Sequence, residues 1–290
     1  MLRRIKNGWA LTKKSWAVLK ENPGLLRFPV IGAIVAIVVS IVTFVPGIAL
    51  IAIDETAAVV TGVVVLVIGA LLLAFTVVFF AVALAHNADR LLAGEQPGFG
   101  DGISLARQRS GPIFAWAIIS TTVGALIQAL QERFGLAGAI LGGLAGAAWG
   151  ILTFLAIPVI AIEGTGGFST VKRCTQLIRS RWGEQITGTI AIGGILFLIG
   201  FLPATLVIGG GIALITGPGV VAAGVPLILV GALYLAVVAV VNKALVTIFG
   251  VALYHYAAEE RAVGDFTIEE LAGAVRAKGS MPPGTAGTTI

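Results

Sequence analysis

The chain alternates between long apolar runs and short charged clusters. Residues 28–53, 56–88, 110–131, 134–162 and 185–242 contain no Asp, Glu, Lys or Arg. An α-helix needs about 20 apolar residues to cross the hydrocarbon core, so each run is long enough. The pattern predicts transmembrane helices at about 28–53, 57–85, 113–130, 136–162 and 188–215, and a sixth within 220–258. Asp54-Glu55, Gln131-Glu132-Arg133 and Gly217-Pro218-Gly219 mark tight turns between them. Pro158 is expected to kink the fourth span, and Pro226 to break the long last run. The expected fold is all-α: a polytopic membrane protein with six transmembrane helices.

The segments between these runs have a different period. In residues 1–22, Leu2, Ile5, Trp9, Thr12, Trp16 and Leu19 share one helical face, while Arg3, Arg4, Lys6, Lys13, Lys14 and Lys20 lie largely off it. That pattern predicts a helix lying in the membrane interface. Asn22-Pro23-Gly24 ends it. In loop 163–187, Val171, Cys174, Ile178 and Trp182 share a face, with Ser169 or Thr170 available as a cap. In the tail, Thr267 and Glu270 have capping-box spacing ahead of Leu271 and Val275. The three later stretches start after Phe99, Phe168 and Phe266, and a plan of three units follows, each a surface helix plus a transmembrane hairpin. The domain division is an interfacial helix at 1–22, a transmembrane domain at 23–260, and a cytoplasmic tail at 261–290. The Gly-, Pro- and Thr-rich residues 279–290 are expected to be disordered.

Charge sets the orientation. Of the 19 Lys and Arg residues, all but Arg133 and Lys243 fall in segment 1–27, loops 86–112 and 163–187, and the tail. With six spans these segments all face one side, which the positive-inside rule makes the cytoplasm, together with both termini. The same rule accounts for the net charge of +5 without nucleic acid as a partner. Only 11% of residues are charged and mean hydropathy is +1.03, against about 25% charged in soluble domains, so lipid must solvate much of the chain. The apolar run starting at Phe28 is too long and too late for a cleaved signal peptide.

Few residues carry candidate chemistry. Lys243, beside Asn242, is the only charge deep in a span. A 20-residue helix ending near Tyr254-His255-Tyr256 would begin near 235 and hold Lys243 near mid-bilayer. Two readings stand: a polar site for a lipid phosphate, a solute path or a carboxylate, or a lysine that snorkels from a tilted helix. Glu163 is an interfacial anchor and the best partner for a basic residue of the following loop. Gly138, Gly142, Gly146 and Gly150 lie on one helix face, a spacing for close packing within the chain or between copies. Arg3, Arg4, Lys6, Trp9, Lys13, Lys14, Trp16, Lys172, Arg173, Arg179 and Arg181 are the expected contacts with anionic lipid of the inner leaflet. Gly193-Gly194 and Gly209-Gly210-Gly211 lack the Lys-Ser/Thr of a phosphate loop. The lone Cys174 reads as a small apolar residue, and His86 and His255 have no metal-ligand spacing. No cofactor and no metal are expected.

Gly8-Trp9, Ser15-Trp16, Pro23 and Phe28-Pro29 open the chain, followed by Ala88-Asp89-Arg90, Pro158, Glu163-Gly164 and Trp182-Gly183-Glu184. Over most of residues 1–260 this resembles an uncharacterised family of bacterial six-helix membrane proteins. It is more distantly similar to the membrane domain fused to some glycerophosphodiester phosphodiesterases. The resemblance implies a bacterial inner-membrane location and no established activity. Those enzymes carry a soluble barrel with metal ligands and catalytic histidines, and no such barrel is present here, so their activity does not transfer. The expected function is non-enzymatic: a lipid-associated scaffold or accessory subunit, with a homo-oligomer or a membrane-protein partner. The alternative is a transporter or channel using Asn242 and Lys243.

Overall fold

The computed structural model describes residues 2–182, 191–217 and 220–275. Eleven α-helices run in order among them: α1 (Leu2–Glu21), α2 (Arg27–Ile51), α3 (Thr56–Leu92), α4 (Phe99–Gln108), α5 (Ser110–Arg133), α6 (Gly135–Thr153), α7 (Ala156–Glu163), α8 (Phe168–Trp182), α9 (Ala191–Thr216), α10 (Val221–Glu259) and α11 (Ile268–Val275). Residues 279–290, and Gly183-Glu184 of the resemblance, lie outside the described residues.

Among the described residues, five stretches are long and apolar enough to cross a membrane: Pro23–Ile51, Thr56–Leu92, Ser110–Arg133, Gly138–Glu163 and Val221–Glu259. The chain is an all-α, multi-pass membrane protein. Three pairs of helices pack most extensively: α2 with α3, α9 with α10, and α5 with α6. Glycine permits the closest approaches. A Cβ on Gly62 would meet the Gly47 carbonyl oxygen at 2.7 Å, and a Cβ on Gly224 would meet the Gly211 oxygen at the same 2.7 Å. Small residues bring two backbones together where lipid removes the hydrophobic drive.

The spans differ from the sequence pattern in three places. α3 continues to Leu92, past the expected end near 85, because Ala85, Ala88 and Leu92 stay buried in a packed face. The fourth span is broken at Phe154-Leu155. Pro158 has no N–H to offer Phe154 four residues back, and its ring crowds that carbonyl. α10, in contrast, runs unbroken through Pro226. That proline lies in the second turn, where one lost bond, to Ala222, is tolerated.

The core lies at one end of the bundle. Residues 81–85 of α3, 244–245 and 247–255 of α10, and 158–161 of α7 are buried throughout. The four amphipathic helices close around them: Leu11 and Leu19 of α1, Ala106 of α4, Cys174 and Leu177 of α8, and Leu271 of α11 belong to the same cluster. Burial pushes the Cys174 thiol up to about 12, so it packs as an apolar group. The buried face of α1 is Leu11, Thr12, Ser15 and Leu19, with Trp16 exposed, a quarter-turn from the stripe read in the sequence. α8 starts at Phe168, one residue before the expected caps, and Ser169 donates instead to the Gly166 carbonyl. The capping box of α11 is made: Thr267 N–H donates to Glu270 Oε2 at 3.0 Å, and Glu270 N–H to Thr267 Oγ1 at 3.3 Å.

Candidate functional site

Two polar groupings sit within or beside this core. The first is an ionic clasp. α7 ends at Gly164, whose φ of +72° suits glycine, and Arg109 packs against it so closely that a Cβ would collide with the guanidinium. The preceding Glu163 accepts bonds from Arg173 Nε at 2.7 and 2.9 Å and from the Tyr254 hydroxyl at 2.8 Å. One carboxylate thus joins α7, α8 and α10. The bond to Glu163 holds the Arg173 guanidinium above its ordinary value, against the effect of burial. On the next residue of α10, His255 Nε2 lies 2.5 Å from Asp89 Oδ1 of α3, and Nδ1 lies 3.2 Å from Glu259 Oε2. Lys14 of α1 bonds Glu270 of α11 at 2.5 Å and the Asp265 carbonyl at 2.7 Å, joining the two ends of the described chain.

The second grouping is a half-open cavity of about 190 Å³ between α2, α3 and α10. Its wall is Pro29, Gly32 and Ala36 from α2, Phe80 and Leu84 from α3, and neighbours of the same apolar kind. Among the described residues, Lys243 is the only charged one lining it. The Lys243 ammonium makes no hydrogen bond or ion pair with any described residue, while its carbonyl accepts from the Thr247 hydroxyl at 2.8 Å. Asn242 does not line the cavity, and its Oδ1 is buried without a partner. Glu163 is not near: it is bound to Tyr254, roughly 16 Å along α10 from Lys243 at 1.5 Å per residue. Glu163 therefore lies apart from the neighbouring residues Asn242 and Lys243.

α10 is longer than the 20-residue helix considered from the sequence. α10 starts at Val221 and not near 235. Lys243 lies roughly 33 Å from that start, close to a hydrocarbon thickness of about 30 Å. Pro29, in the same cavity, is two residues from Arg27 at the start of α2. Lys243 thus lies nearer the Glu259 end of α10 than the Val221 end.

The glycine ladder splits. A Cβ on Gly138 would meet the Leu130 carbonyl, and one on Gly142 the Gln131 side chain, both in α5. Gly146 has one contact at 3.9 Å, and Gly150 faces open space. The basic residues also split. Lys13, Trp16, Lys172 and Arg179 are exposed, while Lys14 and Arg173 are drawn into bonds within the chain. Arg3, Arg4, Lys6, Trp9 and Arg181 lie outside the described side chains. Among the described residues, no group of three His, Cys, Asp or Glu is placed to hold a metal.

The clasp around Glu163-Gly164 and the Ala88-Asp89-Arg90 segment fall within residues 70–264, which match one family model. The chain belongs to the family of unknown function DUF6159. No curated protein and no solved structure matches it. The distant similarity to glycerophosphodiester phosphodiesterase membrane domains has no support in these comparisons.

Sequence reasoning missed Asp89, Tyr254 and His255 as clasp residues. A signal was present: Ala81, Ala85, Ala88 and Leu92 repeat at four, three and four residues, which continues α3 through its polar segment.

Proposed function

We propose that this DUF6159 protein is a non-enzymatic, lipid-associated scaffold or accessory subunit of a bacterial cytoplasmic membrane. It crosses six times, with α9 as the span outside the five above, in three units of a surface helix and a hairpin. Both termini and all four amphipathic helices face the cytoplasm. One observation carries the reading: α1, α4, α8 and α11 gather at the same end of the bundle, where the positive charge is concentrated. Such a cap would rest on the anionic inner leaflet, each basic residue near the surface contributing about 1 kcal/mol. The opposite end presents splayed apolar hairpins, with Leu229 and Leu233 about two-thirds exposed, as surface for lipid or a partner in the membrane.

A transporter remains the second reading, favoured by the unpartnered Lys243. Its position weighs the other way, because secondary transporters bind substrate near the bilayer midplane. The experiment is extraction in native nanodiscs, with mass spectrometry of co-extracted lipids and proteins, beside a solute-flux panel in proteoliposomes. The scaffold reading expects anionic lipid enriched over the bulk membrane and no protein-dependent flux. A clear flux that Lys243→Ala abolishes would replace it with transport.

A further inference from the structure

We infer that the cavity between α2, α3 and α10 is a site for one anionic glycerophospholipid, its phosphate on the Lys243 ammonium and an acyl chain along the apolar wall. The inference deepens the lipid-associated reading and rests on it.

Charge points to the ligand's sign. A cation that meets only apolar residues and hydrocarbon is costly unless a counter-charge pairs with it. Three carboxylates on or against α10 are already occupied: Glu259 lies against His255 and Arg261, while Glu163 and Asp89 are held in the clasp. Among the described residues, no carboxylate lines the cavity. A phosphate would supply the missing counter-charge, and lysine serves phosphate well as a compact point charge.

The wall points to a lipid and not a dissolved anion. Apart from Lys243, every lining residue is apolar or glycine, so the wall offers a hydrated ion no second side-chain donor. Gly32, Ala33, Ala36, Ala81 and Ala239 keep the groove shallow and smooth, as a methylene chain requires. The cavity also opens onto the lipid-facing surface: Val77 lines it and is 44% exposed. Level agrees with both arguments. Pro29 lies two residues from Arg27, and Lys243 lies about a hydrocarbon thickness from the far end of α10. A phosphate at the inner-leaflet surface would thus reach Lys243, with its chain running towards the exposed hairpins.

The test uses the full chain, delipidated in detergent and titrated with dioleoyl phosphatidylglycerol, dioleoyl phosphatidylcholine or inorganic phosphate, with adducts counted by native mass spectrometry. One phosphatidylglycerol per chain is expected to bind about tenfold more tightly than phosphatidylcholine, equivalent to about 1.4 kcal/mol. Lys243→Met should remove that preference, and Lys243→Arg should keep it. Ala36→Phe should block the groove while the lysine stays. Equal binding of both lipids, or unchanged binding in Lys243→Met, overturns the site. Displacement by millimolar inorganic phosphate makes it a soluble-anion site and overturns the lipid assignment. Should the variants fail to fold, the wild-type chain still decides: a phosphatidylglycerol with a photoreactive acyl chain should label residues 29–36 or 239–243, and labelling confined elsewhere overturns the inference. Anionic lipid enriched in native nanodiscs alongside a Lys243→Met chain that binds like wild type would sink this site alone. The broader lipid-associated reading would stand.

Discussion

The two halves of α10 have similar hydropathy and opposite surroundings. Between Val221 and Lys243 the helix exposes Leu229, Val230 and Leu233. Between Ala244 and Ala257 nearly every residue is buried against α3, α7 and the amphipathic helices. α3 divides in a similar way, largely exposed or half-buried before Thr76 apart from Gly62 and Gly69, and mostly buried from Ala81 to Ala88. Apolar character therefore serves two solvents in one helix, lipid at one end and protein at the other. What separates them is polar punctuation. The buried halves carry side chains that meet across helices, Tyr254 with Glu163 and His255 with Asp89.

The largest effect should follow from emptying the buried half. Phe249 is 1% exposed and packs against Phe154 with ring centroids 5.9 Å apart. Phe249→Ala should cost about 3–5 kcal/mol, read as a loss of thermal stability in detergent. Leu229→Ala, on the lipid-facing half of the same helix, should change stability by less than about 0.5 kcal/mol. Equal losses at the two positions would erase the contrast between the halves.

The clasp should come next. Glu163→Gln keeps the shape of the side chain and removes the charge that Arg173 faces. Arg173 is 37% exposed, so screening trims the loss to about 1–2 kcal/mol. A double-mutant cycle with Arg173→Met should assign most of that loss to the pair. Independent, additive losses would mean that Glu163 matters chiefly to Tyr254.

The same contrast explains which parts of the molecule were legible in the sequence. Charge-free runs and same-side basic clusters are set by the cost of charge in hydrocarbon, so the apolar helices stand out. The period of α8 and the capping box of α11 are local, and both elements form. The ends of the long helices were hidden, because an apolar residue facing lipid and one facing protein read alike. His86, Asn87 and Asp89 look like a loop until their partners are known: Asn87 bonds the Gly98 carbonyl, and Asp89 meets His255, 166 residues away. Lys243 was visible as an outlier, but its level depended on where α10 begins. A long helix through Pro226 is a tertiary outcome that no window of residues reveals.

Glycine contacts should separate the hairpins by position. Gly62→Val would drive a side chain into the Gly47 carbonyl, which lies 2.7 Å from a Cβ there, and should cost about 1–3 kcal/mol by forcing α2 and α3 apart. Gly150→Val meets nothing within 4 Å in the chain, so stability should hold within about 0.5 kcal/mol. Its elution mass should also stay unchanged. A Gly150→Val protein that keeps its thermal stability but elutes as a smaller species would place that end of the ladder between copies.

The smallest effect is expected where the two ends of the described chain meet. Burial raises the Glu270 carboxyl, but the bonds from Lys14 and Thr267 outweigh it and hold the group below its ordinary value of 4.5. A carboxylate depressed by folding stabilises fully above its unfolded value, and that contribution disappears as pH falls through the folded one. The side chains are 27% and 26% exposed, so the pair should contribute less than about 1 kcal/mol. The measurement is the difference in melting temperature between wild type and Glu270→Gln. It should stay constant from pH 7 down to about 5 and shrink only below about 4.5. A gap that closes while pH still stands above 5 would mean that burial outweighs Lys14. The cap would then hold α11 through packing around Leu271, as the buried half of α10 is held, with no ionic link to α1.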